Sequence, residues 1–373
     1  MQIDRLDVFS FPVPFKVVFR HSSASRASAE NVIVAAHSDG GFVGYGEGCP
    51  RSYVTGETVE SCRKFIRRHE SELATTVHDV ENLRQWVADH RQVIDDDPAA
   101  FCAIELALLD LVGKVEGCPV EDLLDVPRLI GNFQYTAVLG DAPYLAYRWQ
   151  LHRYRKRGFR DFKIKLSGDI RRDRTKIRPL SNMRDQAIRV RLDANNLWHS
   201  AGDCIAHIKP LSDKFFAIEE PLQKDDLDGF DRVAEACDTR IILDESLLRS
   251  EQLDTFENAD RWIANIRVSK MGGLIRSLEV AENAVHRRIG IIVGAQVGET
   301  SILTRAALTV AAAARPALIA SEGAFGTHLL DRDLTSPCLM FGTGGLLVAD
   351  DYELSKSLGL GLQVDRRLLV RFE

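Results

Sequence analysis

From about Phe133 the chain alternates short β-branched or apolar runs with longer amphipathic stretches. The runs are Tyr135–Leu139, Phe162–Leu166, Ile188–Leu192, Phe215–Ile218, Ile241–Leu243, Trp262–Val268, Ile289–Val293 and Ala317–Ala320. Between them lie helical patterns such as 277–287, where Leu278, Ala281, Val285 and His286 fall on one side and charges on the other. About eight βα units of this length predict a parallel sheet closed into a (β/α) barrel, a modified TIM barrel, over residues 129–345. The first third has a different texture. Asn31–Ala36 and Phe42–Glu47 flank the turn signal Asp39-Gly40-Gly41 and predict a hairpin. Ile104, Leu108, Leu111 and Val115 recur at helical spacing, and Gly117 and Pro119 end the pattern. Strands followed by helices predict an N-terminal α+β capping domain over 1–128, completed by the short strands and turns of 346–373.

Composition narrows the setting. The 373 residues are 45% hydrophobic and 27% charged, as expected of a soluble globular protein. A net charge of −6 gives no reason to expect nucleic acid or an anionic membrane as a partner. Seven widely spaced cysteines without a Cys-x-x-Cys pair predict free thiols in a reducing compartment. The start of the sequence lacks a signal-peptide pattern and no apolar run reaches bilayer length, so the expectation is a cytoplasmic protein, and a homo-oligomer.

Charged residues interrupt the apolar runs at one recurring place, their C-terminal ends. There stand Lys163-Ile164-Lys165, Asp193-Ala194-Asn195, Glu219-Glu220-Pro221 and Asp244-Glu245-Ser246. Lys165, Asp193, Glu219 and Asp244 are spaced by 28, 26 and 25 residues, about one βα unit each. Residues so spaced sit side by side at the mouth where barrels of this kind carry their active sites. A single Asp at a strand end is more often a turn former or helix cap than a ligand. Three carboxylates from consecutive strands repel one another and stay ionised together only around a cation. Oxygen-only ligands favour magnesium, with manganese possible, and internal salt bridges to Lys and Arg are the alternative. Alternation puts Lys163 and Lys165 on one face, where two ammonium groups should depress each other's pKa and make one a usable base.

As a set these motifs, with Gly44-Tyr45-Gly46-Glu47, Val54-Thr55-Gly56-Glu57 and Gly272-Gly273, resemble the enolase superfamily, and within it the muconate lactonising (muconate cycloisomerase) subgroup, over nearly the whole chain. In that superfamily a lysine or histidine base works beside magnesium. The resemblance implies Asp193, Glu219 and Asp244 as magnesium ligands, Lys165 as the main acid/base and Lys163 as the residue that tunes it. The likeness breaks at strand six, Asn265-Ile266-Arg267-Val268-Ser269-Lys270-Met271-Gly272-Gly273. Relatives place a second catalytic lysine five residues before the paired glycines, where this chain has Arg267. Lys270 matches a second, non-catalytic lysine, and could serve as the base only if the strand ended early. Glu299, in Gly298-Glu299-Thr300, matches a glutamate at the mouth of the site, with a helix-start carboxylate as its plain alternative. Two loops of the capping domain should shape the pocket, 19–30 with Arg20, His21 and Arg26, and 50–58 with Arg51 and Tyr53. The expected reaction is abstraction of the proton α to the carboxylate of a small substrate. One-base cycloisomerisation or β-elimination is placed first, because arginine is a poor base near neutrality. Dipeptide or amino-acid epimerisation, or dehydration of an acid, is the alternative within the superfamily. A Schiff-base aldolase would leave the three carboxylates unexplained, and a barrel that binds a ligand without catalysis is a third reading, brought nearer by the altered strand six.

Overall fold

A computed structural model describes residues 1–21, 24–181, 188–211 and 215–372, without the side chains of 17–26 and 181. The N-terminal domain opens with an antiparallel meander, β1 (Ile3–His21), β2 (Ala24–Ser38) and β3 (Val43–Gly48). The helices α1 (Val59–Thr76), α2 (Val80–Asp89), α3 (Arg91–Asp96), α4 (Pro98–Glu116) and α5 (Val120–Leu123) follow. In α4, Pro98 occupies the first turn and Gly117, at φ 75°, ends the helix. Residues 98–113 of α4 are buried on every side, which is why the stretch is apolar all round.

β3 lies flush against α4. Gly44, Gly46 and Gly48 share one face of the strand, and a Cβ on them would overlap the carbonyl oxygens of Ala107, Ala103 and Ala99 respectively. The match is metric: two strand residues advance roughly 6.6 Å and four helix residues roughly 6 Å. Glycine every second residue therefore meets alanine every fourth.

The barrel follows β4 (Asn132–Gln134). In chain order it comprises β5 (Ala137–Leu139), α6 (Tyr144–Lys156), β6 (Asp161–Lys165), α7 (Ile170–Ser181), β7 (Arg189–Asp193), α8 (Ala201–Ile208), β8 (Ala217–Glu219), α9 (Leu227–Cys237), β9 (Arg240–Leu243), β10 (Trp262–Ile266), α10 (Val268–Met271), α11 (Leu274–His286), β11 (Gly290–Val293), α12 (Ser301–Ala313) and β12 (Leu318–Ser321). β5 to β12 form one parallel sheet in sequence order. A bridge between Tyr135 and Ser321 joins its two ends and closes the barrel. The register sets Lys165 beside Asp193 and Asp193 beside Glu219. After the barrel come β13 (Thr335–Ser336), β14 (Leu346–Val348), β15 (Gln363–Val364) and β16 (Val370–Arg371). β16 pairs with β1, whereas β14 pairs with β4 and β13 with β15, so only part of the final stretch rejoins the first sheet.

Two buried glutamates fasten the domains together. Glu47, on β3, accepts from the Thr300 amide at 2.9 Å, its hydroxyl at 2.7 Å and the Leu303 amide at 3.1 Å, at the start of α12. Glu105, on α4, takes the amides of Leu274 and Ile275 at the start of α11. Each carboxylate thus serves orphan donors at the positive end of a helix dipole. Burial nevertheless pushes Glu47 up to about 7 and Glu105 to about 8. No described helix is long and apolar enough to cross a membrane.

Candidate active site

Strand alternation turns Lys163 and Lys165 inward from β6, and the ends of β7, β8 and β9 bring Asp193, Glu219 and Asp244 round the same mouth. Lys163 is buried and lies 2.8 Å from Glu219, 3.2 Å from Asp193 and 3.1 Å from Glu322. Lys165 donates to Asn195 Oδ1 at 2.8 Å, sits 3.4 Å from Asp193 and lines a cavity of about 630 Å³. The expected mutual depression of the two lysines does not hold for Lys163. Burial lowers its pKa, but Asp193, Glu219 and Glu322 outweigh burial and raise it. Asp193 is held below the usual range: burial raises it, and Lys163 and Lys165 more than offset that.

Arg267 ends β10, and its side chain lines the cavity. Its guanidinium contacts Asp244, lies 3.7 Å from Glu219 and donates to Gln296 Oε1 at 3.2 Å. Lys270 follows in α10, fully buried behind the site. It contacts the Asp244 carboxylate and donates to the carbonyls of Asp244, Leu247 and Asn265. Lys270 is not among the cavity residues, so the early end of the strand does not swing it inward. Glu299 does line the cavity. The amides that open α12 are taken by Thr300, Glu47 and Asp333, and Glu299 accepts instead from the Gln296 amide. Burial pushes Glu299 up to about 8. Tyr53 also lines the cavity. Arg51 does not act there: it is buried and donates to the carbonyls of Pro50 and Val297 and to Asn31. Arg20, His21 and Arg26 lie outside the described side chains.

Two residues escaped the sequence reading, Glu322 and Arg191, and a third, Glu220, stood there only as part of a motif with no role given. Glu322, one residue past β12, pairs with Lys163 and with Arg191 at 2.7 Å, and those cations override burial to hold it well below the carboxylate range. The strand-end rule that singled out Asp193 applies to it equally. Arg191 is an inward charge inside an apolar run, balanced by Asp161 at 2.6 Å. Glu220, at φ 39°, accepts from the Asp244 amide at 2.6 Å and from Ser246 at 2.8 and 2.9 Å, which fixes the turn carrying Asp244.

Among the described residues, no three His, Cys, Asp or Glu side chains already stand in coordinating geometry; Lys163 and Arg267 lie between the carboxylates. The charge balance still leaves room for a cation. Asp161, Asp193, Glu219, Glu220, Asp244, Glu245 and Glu322 face Lys163, Lys165, Arg191, Arg267 and Lys270, seven acids to five bases and, with all of them ionised, a deficit of two positive charges. Glu219 is raised by burial and by Asp193 and Glu322, and Glu245 is pushed to about 7 by burial and by Glu220, Glu219 and Asp193. One buried oxygen of Glu245 lacks a hydrogen-bond donor, and Glu219 Oε2 has only the Lys163 ammonium, 2.8 Å away. An oxygen-only site short of two charges fits a hard divalent ion, with Asp193, Glu219 and Asp244 as the residues to hold it. Glu219→Gln is expected to weaken magnesium binding by at least roughly 10–100-fold, the loss typical of groups that only support a ligand. Titration calorimetry on the purified protein measures this, and an unchanged affinity would remove Glu219 from the set.

Comparisons with known proteins follow the same lines. Residues 5–125 match the family model described as the mandelate racemase / muconate lactonizing enzyme N-terminal domain, and residues 146–368 match the one described as enolase C-terminal domain-like. The L-Ala-D/L-Glu epimerase of Bacillus subtilis is 29% identical over 322 residues, 84% of this chain and 86% of the relative. The hydrophobic dipeptide epimerase of Enterococcus faecalis is 27% identical over 97% of this chain and 99% of its own. A crystal structure of the dipeptide epimerase from E. faecalis V583, complexed with Mg and the dipeptide L-Leu-L-Tyr, superposes with a TM-score of 0.85 at 25% identity, covering 97% of this chain and 100% of that one. Muconate lactonizing enzyme superposes at a TM-score of 0.83 and 22% identity over 98% of both chains, a likeness of fold alone.

Proposed function

We infer the activity from the premise that this chain belongs to the enolase superfamily, in its mandelate racemase / muconate lactonizing enzyme branch. The proposed reaction is magnesium-dependent removal of the proton α to the carboxylate of an amino-acid derivative. The observation that carries it is the Lys165 amine, reaching a large cavity 3.4 Å from Asp193, the first of three carboxylates at the ends of consecutive strands. Lys165 takes the proton, oriented by Asn195. Lys163 stays charged among Asp193, Glu219 and Glu322 and holds them in place. Magnesium, when bound by Asp193, Glu219 and Asp244, supplies positive charge to the substrate carboxylate as negative charge develops on it.

The relatives' activities narrow the small carboxylate expected from the sequence toward dipeptides and related amino-acid derivatives. They also favour epimerisation, the alternative reading. The residue opposite Lys165 favours the other outcome. Inversion needs a base on each face of the α-carbon, and Arg267 is a fixed cation suited to holding an oxyanion. We place one base in this site, so that turnover proceeds by β-elimination or ring closure rather than inversion. Proton exchange in heavy water, followed by NMR across a library of dipeptides and N-acyl amino acids, tests both points. The expected result is deuterium entering at Cα with retained configuration. Efficient inversion by the wild type would put epimerisation first, and no magnesium-dependent exchange from any member would end the whole reading.

A further inference from the structure

The strand that carries Lys165 outruns its neighbour on one side. β6 pairs with β7 as far as Lys165, opposite Asp193, but β5 stops at Leu139, which pairs with Ile164. The peptide between Lys165 and Leu166 gives its N–H to the Asp193 carbonyl at 2.8 Å. Being trans, it points the Lys165 carbonyl the other way, to the side where β5 has already ended. A side chain from outside the barrel fills the place. Lys176, on α7, donates from Nζ to the Lys165 carbonyl at 2.7 Å. Lys176 is only 3% exposed, and two acids share its ammonium, Asp173 at 3.0 Å, one turn back, and Asp141 at 2.8 Å. Three protons thus face three oxygens. Asp173 in turn accepts from the Ser167 amide at 2.9 Å and its hydroxyl at 2.8 Å, and His207 of α8 lies 3.1 Å from it. One turn of α7 therefore holds residues 165 and 167, on either side of Leu166. Asp141 lines the cavity together with Lys165.

We propose that Lys176 is a positioning residue for Lys165: by holding the last peptide of β6, it fixes where the Lys165 amine stands in the cavity. This rests on the reading of Lys165 as the base. A buried ion pair within α7 would account for Lys176 and Asp173 as fold stability alone. It does not account for the third contact, which leaves the helix for the backbone of the residue whose amine enters the cavity. That amine hangs on a flexible chain of methylenes, restrained at its tip by Asn195 and Asp193. Its reach is therefore set by where the backbone is pinned. A misplacement of about 1 Å can cost about 10²-fold in rate, and a charge-assisted bond to the carbonyl is a strong way to prevent it.

Two variants release the grip. Glutamine is a bond shorter than lysine, so Lys176→Gln withdraws from the Lys165 carbonyl while leaving a polar group between the two acids. Lys176→Gln/Asp141→Asn removes one acid with the base and keeps the buried charge even, should the single variant fail to fold. Lys176→Arg keeps both the cation and its donors. The full chain, labelled with ¹³Cε-lysine in magnesium buffer, gives a Lys165 NMR signal identified by its loss in Lys165→Arg, and this needs no substrate. The expected result is a Lys165 signal shifted or broadened in the glutamine variants and restored in Lys176→Arg. Exchange at Cα, read on the library member that exchanges fastest, should lose about 10–100-fold in kcat with KM kept within about threefold. An unmoved Lys165 signal in a folded glutamine variant, or a loss confined to KM or to the denaturation midpoint, would overturn the positioning role. A moved signal with no exchange by the wild type from any ligand sinks the proposed reaction and leaves the grip on Lys165 standing.

Discussion

Lys165→Ala is expected to lower α-proton exchange by about 10²–10⁴-fold, the contribution of a positioned general base. The fold should survive, because Lys165 makes one hydrogen bond, to Asn195, and one longer ion pair, to Asp193. Lys163 differs: removing it would strand three buried carboxylates, and breaking buried pairs costs about 3–5 kcal/mol. Lys165→Arg separates chemistry from charge. It keeps the cation but cannot give up a proton near neutrality, so exchange should stay close to the alanine level. Recovery in Lys165→Arg would show that position 165 contributes only an electrostatic field, and equal rates in wild type and Lys165→Ala would remove it from the mechanism.

Gly46→Ala, like the same change at Gly44 or Gly48, should cost far more stability than an added methyl at an open glycine. The new Cβ meets the Ala103 carbonyl and the backbone of 106–107 on α4, groups that cannot turn aside as a side chain can. Overpacking of this kind costs about 3 kcal/mol or more, against a total of roughly 5–15 kcal/mol for a domain. Gly40→Ala is the matched control, since its nearest neighbour would be the Phe42 ring at 3.5 Å. Chemical denaturation of the three proteins gives the comparison. A Gly46→Ala midpoint equal to the wild type would mean that α4 can shift away from β3.

Gly44-Tyr45-Gly46-Glu47 was readable as a motif in the sequence, but its reason was not, because the helix it fits lies more than fifty residues downstream. The barrel strands were legible because burial on both faces forces continuous β-branched runs. β10 stops at Ile266, short of the predicted Val268, because Arg267 caps the turn into α10. β1 went unread: Pro12 and Pro14 argue against a strand, and the chain tolerates them because on that edge β16 pairs only with Phe9 and Ser10, and the later bridge to Leu330 uses Pro14 through its carbonyl. In the site, regular spacing exposed Lys165, Asp193, Glu219 and Asp244. The protonation of Lys163 could not be read in the same way, since it is set by close contact with Asp193 and Glu219, which only the folded strands bring to it, and by Glu322, 159 residues further along the chain.

The glutamate clasps bear on how this architecture could be re-engineered. The barrel supplies the reacting groups, and the capping domain supplies Tyr53 to the cavity, so a designer seeking new specificity would graft a foreign cap onto this barrel. Such a chimera inherits two helices, α11 and α12, whose first amides are satisfied from the donor's side of the seam, by Glu105 and Glu47. A graft that matches every surface contour but lacks carboxylates at those two positions leaves buried amides without acceptors, at about 1–3 kcal/mol for each. Transplantable specificity in this scaffold therefore travels as loops together with the two acids that dock them.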